Sequence, residues 1–85
     1  MSDAKRYRCL CCGCWTLGEE PPGTYTLCPV CGWADDAFQA KHPDFADGTN
    51  AVSLNTARRN FRLLGASDPR CLKKTRRPTA EERGA

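Results

Sequence analysis

Along the first third of the chain the apolar residues come in short bursts broken by cysteine, glycine and proline. This is a strand-and-turn pattern without helical periodicity. Tyr7-Arg8-Cys9 reads as a short strand running into a cysteine-rich turn, and Cys14-Trp15-Thr16-Leu17, with aromatic and β-branched character, as the strand leaving it. Gly18-Glu19-Glu20-Pro21-Pro22-Gly23 is a turn rich in breakers. Thr24-Tyr25-Thr26-Leu27 alternates and predicts a strand leading to a second cysteine pair, with Trp33 just beyond it. Residues 34–51 are mostly polar and predict a loop, with at most one helical turn near Asp36–Gln39. The period then changes. Leu54, Ala57, Phe61 and Leu64 fall on one face of a helix, with Asn55, Arg58, Arg59 and Arg62 off that stripe. Ser53 is placed to cap the helix and Gly65 to end it, so a helix over about 53–64 is expected. At about 12 residues it needs docking against the rest of the chain to persist. Ser67-Asp68-Pro69-Arg70 predicts a second short helix with Ser67 as cap and Pro69 in its first turn. The pattern thus divides the chain into a flexible N-terminus at 1–6, a folded domain over 7–72 and a mobile basic tail over 73–85.

Length makes the cysteines the central question. With 85 residues there is room for one domain, and a domain this short buries little apolar surface. Small folds commonly add a disulfide framework or a metal. Seven cysteines supply one or the other, and three features favour metal. The count is odd, so a full disulfide set would leave a thiol over. Met1-Ser2-Asp3-Ala4-Lys5-Arg6 has no apolar core of a signal peptide, and no stretch approaches the roughly 18 apolar residues that span a bilayer. A cytoplasmic, reducing location and no membrane association are therefore expected, and there paired cysteines bind metal more often than one another.

The spacing Cys9-x2-Cys12-x15-Cys28-x2-Cys31 carries the chemistry. Two thiolates three positions apart on a tight turn can point at one ion about 2.3 Å away, and two such turns close a tetrahedron. Glycine follows the second cysteine of each pair, as Gly13 and Gly32, which permits a backbone with positive φ whose amides can face the sulfurs. Cys11-x2-Cys14 has the same spacing, but Trp15 follows it, so Cys9 and Cys12 are preferred. Cys11, Cys14 and Cys71 read as compact apolar residues. Four thiolate ligands leave no open position, so the metal is expected to be structural. Zn²⁺ is the expected ion and iron the alternative, since a tetrahedral sulfur set suits both.

Charge adds little by its sum and more by its distribution. The formal net charge is +3, and four thiolates with a divalent ion bring it near +1. Residues 1–36 hold three basic and five acidic residues, residues 37–85 ten and five. Arg70, Lys73, Lys74, Arg76 and Arg77 make a basic run that could contact phosphates. Asp35, Asp36, Asp44, Asp47 and His42 could be imagined as a catalytic cluster. Adjacent aspartates on an extended segment point apart, however, so turn and cap roles, or pairing with Arg58, Arg59 and Arg62, are expected and no enzyme activity is. Trp15, Tyr25, Trp33 and Phe61 are expected to form a small core rather than a base-stacking platform.

At these residues the chain resembles the cysteine-rich CPCC domain, a family of small bacterial proteins. The resemblance runs through Tyr7–Gly13, Pro22–Tyr25, Cys28–Asp36, Asn50–Asn55 and Ala57–Phe61, and covers about residues 7–77. Leu10 stands where the naming proline would be, and Ala34 where an acidic residue is usual; neither is a proposed ligand. The family is known by its cysteines and implies no activity. A second likeness, confined to residues 7–38, is to the two knuckles of rubredoxin, where four thiolates hold iron and carry one electron. The linker between knuckles is shorter here, and the segment after Asn50 has no rubredoxin counterpart. The expected architecture is a small metal-stapled α+β zinc ribbon with one docked C-terminal helix. The expected role is a non-catalytic protein-interaction module. A nucleic-acid-associated ribbon and an iron electron-transfer protein are the alternatives.

Overall fold

The computed structural model describes residues 6–84, so the N-terminal segment expected to be flexible lies, apart from Arg6, outside the described residues. Two short strands, β1 (Tyr7–Arg8) and β2 (Trp15–Leu17), pair antiparallel, with Tyr7 opposite Leu17 and Arg8 opposite Trp15 across an irregular register. They enclose the first cysteine turn, as the sequence predicts. The second arm differs. Thr24–Leu27 forms no strand, and only a single bridge joins Leu27 to Ala34. Tyr25 sits at a φ of 58°, the left-handed region, so the backbone turns where a strand would extend. Tyr25 is accordingly 56% exposed and takes no part in the core.

Helix α1 (Ala37–Lys41) forms where the sequence allows one helical turn near Asp36–Gln39, and runs slightly beyond it. Asp36 caps it, its Oδ1 accepting from the amides of Phe38 and Gln39, while its Oδ2 accepts from the amide of Thr49. The donation from Thr49, together with those from Gln39 and Phe38, holds the Asp36 carboxyl below its ordinary range. Gln39 is fully buried and organises the segment from Phe45 to Val52. Its Nε2 donates to the carbonyls of Phe45, Asn50 and Val52 at 3.0–3.1 Å, and its Oε1 accepts from the backbone and side-chain amides of Asn50. Asn50 in turn grips both the N–H and the C=O of Ala34 at 2.8 Å, standing in for a neighbouring strand. A polar segment thus keeps one conformation because its buried backbone groups are satisfied.

Helix α2 (Leu54–Leu64) matches the periodicity. The Ser53 hydroxyl accepts from the amide of Thr56, and Gly65, at a φ of 82°, closes the last turn with its N–H on the carbonyl of Phe61. Leu54 and Ala57 are buried, Phe61 is half-buried against the core and Leu64 is 45% exposed, so the stripe meets the core only as far as Phe61. The expected second short helix is a 3-10 segment (Pro69–Lys74) whose cap is Asp68, not Ser67. The Asp68 carboxyl accepts from the Arg70 amide and pairs with its guanidinium, which lowers its pKa. Ser67 is buried instead.

The basic tail does not leave the body of the protein as the sequence suggests. The backbone N–H of Trp15 donates to the Glu82 carbonyl at 2.7 Å. The Glu82 carboxylate takes a bidentate pair of 2.7 Å bonds from Arg76, and the Thr79 amide donates to Glu82 Oε1, closing the turn. Arg8 lies over the Trp15 ring, 4.9 Å from its centroid. The Trp15–Glu82 bond sets the turn that Arg76 and Thr79 close on Glu82 against β2. That bond joins positions far apart in the chain, which a one-dimensional pattern does not display.

The core is small. Its buried cluster comprises Cys9, Cys11, Cys14, Leu17, Cys28, Val30, Cys31, Trp33, Leu54 and Ala57. Half of it is cysteine, so the interior is built around sulfur more than around large side chains.

Two measurements check this packing. A Cβ at Gly48 would come within 2.7 Å of Gln39 Cδ. Gly48→Ala should therefore destabilise the fold by about 1–3 kcal/mol through overpacking, seen as a lowered melting temperature. The Glu82 carboxyl is pushed down from 4.5 to about 2, first by Arg76 and then by the Thr79 amide. A depressed carboxyl contributes stability that is full above its unfolded pKa and is lost as pH falls through the folded one. Tail docking should therefore weaken from about pH 4.5 toward about 2. The Trp15 indole resonance should report this loss, and Glu82→Gln should reproduce it at neutral pH.

Candidate metal centre

The two cysteine turns share one hydrogen-bond frame. In the first, the Cys9 N–H donates to the Cys14 carbonyl and the Gly13 N–H to the Cys9 carbonyl, both at 2.8 Å. In the second, the Cys28 N–H donates to the Trp33 carbonyl at 3.0 Å and the Gly32 N–H to the Cys28 carbonyl at 2.8 Å. The glycines adopt φ of 76° and 84°, the conformation that lets each chain fold back on its first cysteine. The frame aims both cysteines of each turn inward. The Sγ atoms of Cys9, Cys12, Cys28 and Cys31 all lie within 4.8 Å of one another, close enough to hold a metal ion. Cys9 and Cys31 are 3.6 Å apart, Cys12 and Cys28 3.7 Å, and both contacts run between turns. A disulfide would need about 2.05 Å. A tetrahedron of metal–sulfur bonds about 2.3 Å long has edges of about 3.8 Å, so the observed separations fit a cation at the centre.

The electrostatics point the same way. Cys28 is driven far below the ordinary thiol range, by donation first from Cys12, then from Cys31 and Cys9, with Thr16 adding to it. Cys12 and Cys31 are driven the other way: Cys12 chiefly by its contact with Cys28, Cys31 by Cys11 and then Cys12. Protons on some sulfurs stabilise negative charge on others. A divalent ion does the same for all four at once, which is the chemistry this donor set supports.

Surrounding groups steady the sulfurs. Thr16 Oγ1 lies 3.1 Å from Cys28 Sγ, placed to donate to a thiolate. The Trp33 amide donates to Cys31 Sγ at 3.4 Å. The far side of each turn is held by the helical half of the chain. Arg58 of α2 donates through Nε to the Leu10 carbonyl at 2.9 Å, and the Ser67 amide, just past α2, donates to the Cys31 carbonyl at 2.8 Å.

The shared frame also explains the remaining thiols. Superposing the turns by sequence sets Cys11 against Val30 and Cys14 against Trp33. Val30 and Trp33 are core residues, and Cys11 and Cys14 are buried in the same cluster. Burial pushes the Cys14 thiol above its ordinary range, as for an inert apolar side chain. Cys71 lies against Gly32, where an added Cβ would meet its Cβ at 2.9 Å and its Sγ at 3.2 Å.

The carboxylates singled out in the sequence do not converge. Asp35 Oδ2 accepts from the amide and hydroxyl of Thr24, tying the turn before the second arm. Asp36 caps α1, and Asp44 Oδ1 accepts from Asn55. None of the three pairs with Arg58, Arg59 or Arg62 among the described residues. His42 ends α1 and stacks on Phe38 at 4.4 Å, outside the sulfur group. Gln39 and Asn50, which fix the loop beside the second turn, carried no functional signal in the sequence. The one cue is Asp36-x-x-Gln39, which has the spacing of a capping box, although Gln39 turns into the protein rather than back to the cap.

Compared with known proteins, the chain matches a family model described as Cysteine-rich CPCC over residues 7–82. The match reaches Glu82, the residue through which the C-terminal segment docks on Trp15. No curated protein matches the chain.

Two substitutions separate supporting residues from packing ones. Thr16→Val removes the hydroxyl beside Cys28 and should weaken metal affinity about 10–100-fold in competition with a chromophoric chelator. Cys11→Val places in the first turn what the second already has at the equivalent position. It should keep full metal stoichiometry and cost less than about 1.5 kcal/mol in denaturant unfolding.

Proposed function

This chain belongs to the cysteine-rich CPCC family, and from that premise we propose that it is a zinc-ribbon module whose Cys9, Cys12, Cys28 and Cys31 thiolates hold one structural Zn²⁺, and that it works by non-catalytic interaction with protein. The observation that carries the metal reading is the mutual approach of the four sulfurs within 4.8 Å, in a group of which three members are fully buried. With cysteine in every position, no site remains for an activated water or a substrate, which supports a structural over a catalytic ion. Asp35 and Asp36, just past the second turn, already serve as turn and cap acceptors, which supports the same reading. Thiolate coordination of this kind persists in reducing compartments, so the cytoplasm is the proposed location.

In such sites the energy of metal binding is folding energy, on the order of 10 kcal/mol for a structural zinc. Purified protein should be colourless and contain one zinc per chain by elemental analysis. A red protein with thiolate-to-iron absorption would support the electron-transfer reading instead. Cys28→Ser should abolish amide dispersion in an NMR spectrum. Native mass spectrometry showing an ion-free species with the charge-state distribution of the folded protein would overturn the proposal.

A further inference from the structure

We propose that the hollow between the end of α2 and residues 75–78 is a docking site for an acidic segment of a partner protein that carries a bulky apolar side chain. The inference rests on the interaction-module reading and gives it a surface. The hollow has a volume of about 390 Å³; its apolar lining comes from Phe61, Leu64 and Pro78, and Arg76 and Arg77 line it beside them. Leu64 is 45% exposed there, and Leu63 in the same helical turn is 73% exposed. Leu72, on the 3-10 segment that contacts α2, is 46% exposed. A helix that meets the core as far as Phe61 and whose last turn shows two leucines to solvent leaves an apolar surface uncovered.

Charge identifies what would cover it. Residues 54–78 carry Arg58, Arg59, Arg62, Arg70, Lys73, Lys74, Arg76 and Arg77 against Asp68 alone. Asp68 is neutralised by Arg70 at 2.9 Å, and Arg76 is engaged by Glu82. Among the described residues Arg62, Lys73 and Arg77 have no ion-pair partner. A surface of this kind favours a segment that sets an apolar side chain between carboxylates, which guanidinium groups can grip in bidentate fashion. Single-stranded nucleic acid fits less well. It would use exposed rings among the cations, and the exposed rings here, Tyr25, Phe38 and Phe45, lie in the acidic segment 25–47. The apolar groups among the cations are leucines.

The test uses the metal-loaded chain and a short synthetic peptide of glutamates around a leucine pair. Its comparators are the same peptide with lysines for glutamates, a duplex and a single-stranded oligonucleotide, and phosphatidylserine vesicles. The acidic peptide should bind saturably, with amide shifts centred on residues 61–65 and 75–78, and the lysine peptide should not. Leu64→Gln and Arg77→Glu should each weaken that binding about tenfold or more. Both positions are exposed, so metal content and amide dispersion should be unchanged in both variants. A folded, metal-loaded protein that ignores the acidic peptide would overturn the docking site while leaving the structural-metal reading intact. So would equal binding by both variants, or tighter binding of an oligonucleotide or vesicles through the same residues. Loss of ion and shape in the parent protein would instead count against the structural reading beneath it.

Discussion

Four sulfurs forced into one small volume set the terms for everything else in this protein. At separations near 3.7 Å, each pair of thiolates repels by on the order of 4 kcal/mol at an effective dielectric of 20. Four thiolates make six such pairs, and their sum exceeds the net stability of a typical domain. The arrangement therefore persists only with protons or a cation among the sulfurs. Of these two, the cation also joins the turns. The turns are local, each closed by hydrogen bonds spanning four or five positions. The stretch between Cys12 and Cys28 has no comparable closure of its own, so a cation at the centre would join the two halves of the cluster directly, beside the ties each turn makes to the helical half.

Around that centre the fold replaces apolar bulk with hydrogen-bonded polar groups, of which only Asp35 keeps an oxygen, Oδ1, without a partner among the described residues. Trp33, Val30 and Leu54 are among the few sizeable apolar side chains fully inside. Gln39, Asp35 and Asp36 are buried too, and each is bound to the backbone of another segment. A buried amide that satisfies several carbonyls costs little to hold and fixes the loop in one place, whereas the same amide unpartnered would be strongly unfavourable. This is how residues 34–52, poor in large apolar side chains, reach a defined path beside the second cysteine turn.

The features readable in advance were those written in local spacing. Cys-x2-Cys followed by glycine marked both turns because ligand geometry and positive φ act within five residues. Ser53, the Leu54–Ala57–Phe61 stripe and Gly65 marked α2 because capping and periodicity are equally local. Alternation at Thr24–Leu27 misled, because the backbone at Tyr25 turns left-handed and the alternation never becomes a strand. Gln39 and Glu82 were silent for a different reason. Their partners lie 6–13 and 67 positions away, at Phe45 through Val52 and at Trp15, and no window along the chain contains both ends. Asp68 displaced Ser67 as a cap by one position: its carboxylate accepts from the Arg70 amide, while Ser67 is buried.

The bond from the Ser67 amide to the Cys31 carbonyl ties the far end of α2 to the second turn at its ligand. It is the kind of contact through which two binding equilibria can be linked. A ligand that stiffened the junction around Gly65–Ser67 and so favoured the turn would strengthen the hold on an ion held by the four sulfurs, and by reciprocity that ion would strengthen the hold on the ligand by the same factor. Two equilibria meeting at one helix terminus in this way would share a single coupling free energy, and neither affinity would be a fixed number until the occupancy of the other is stated.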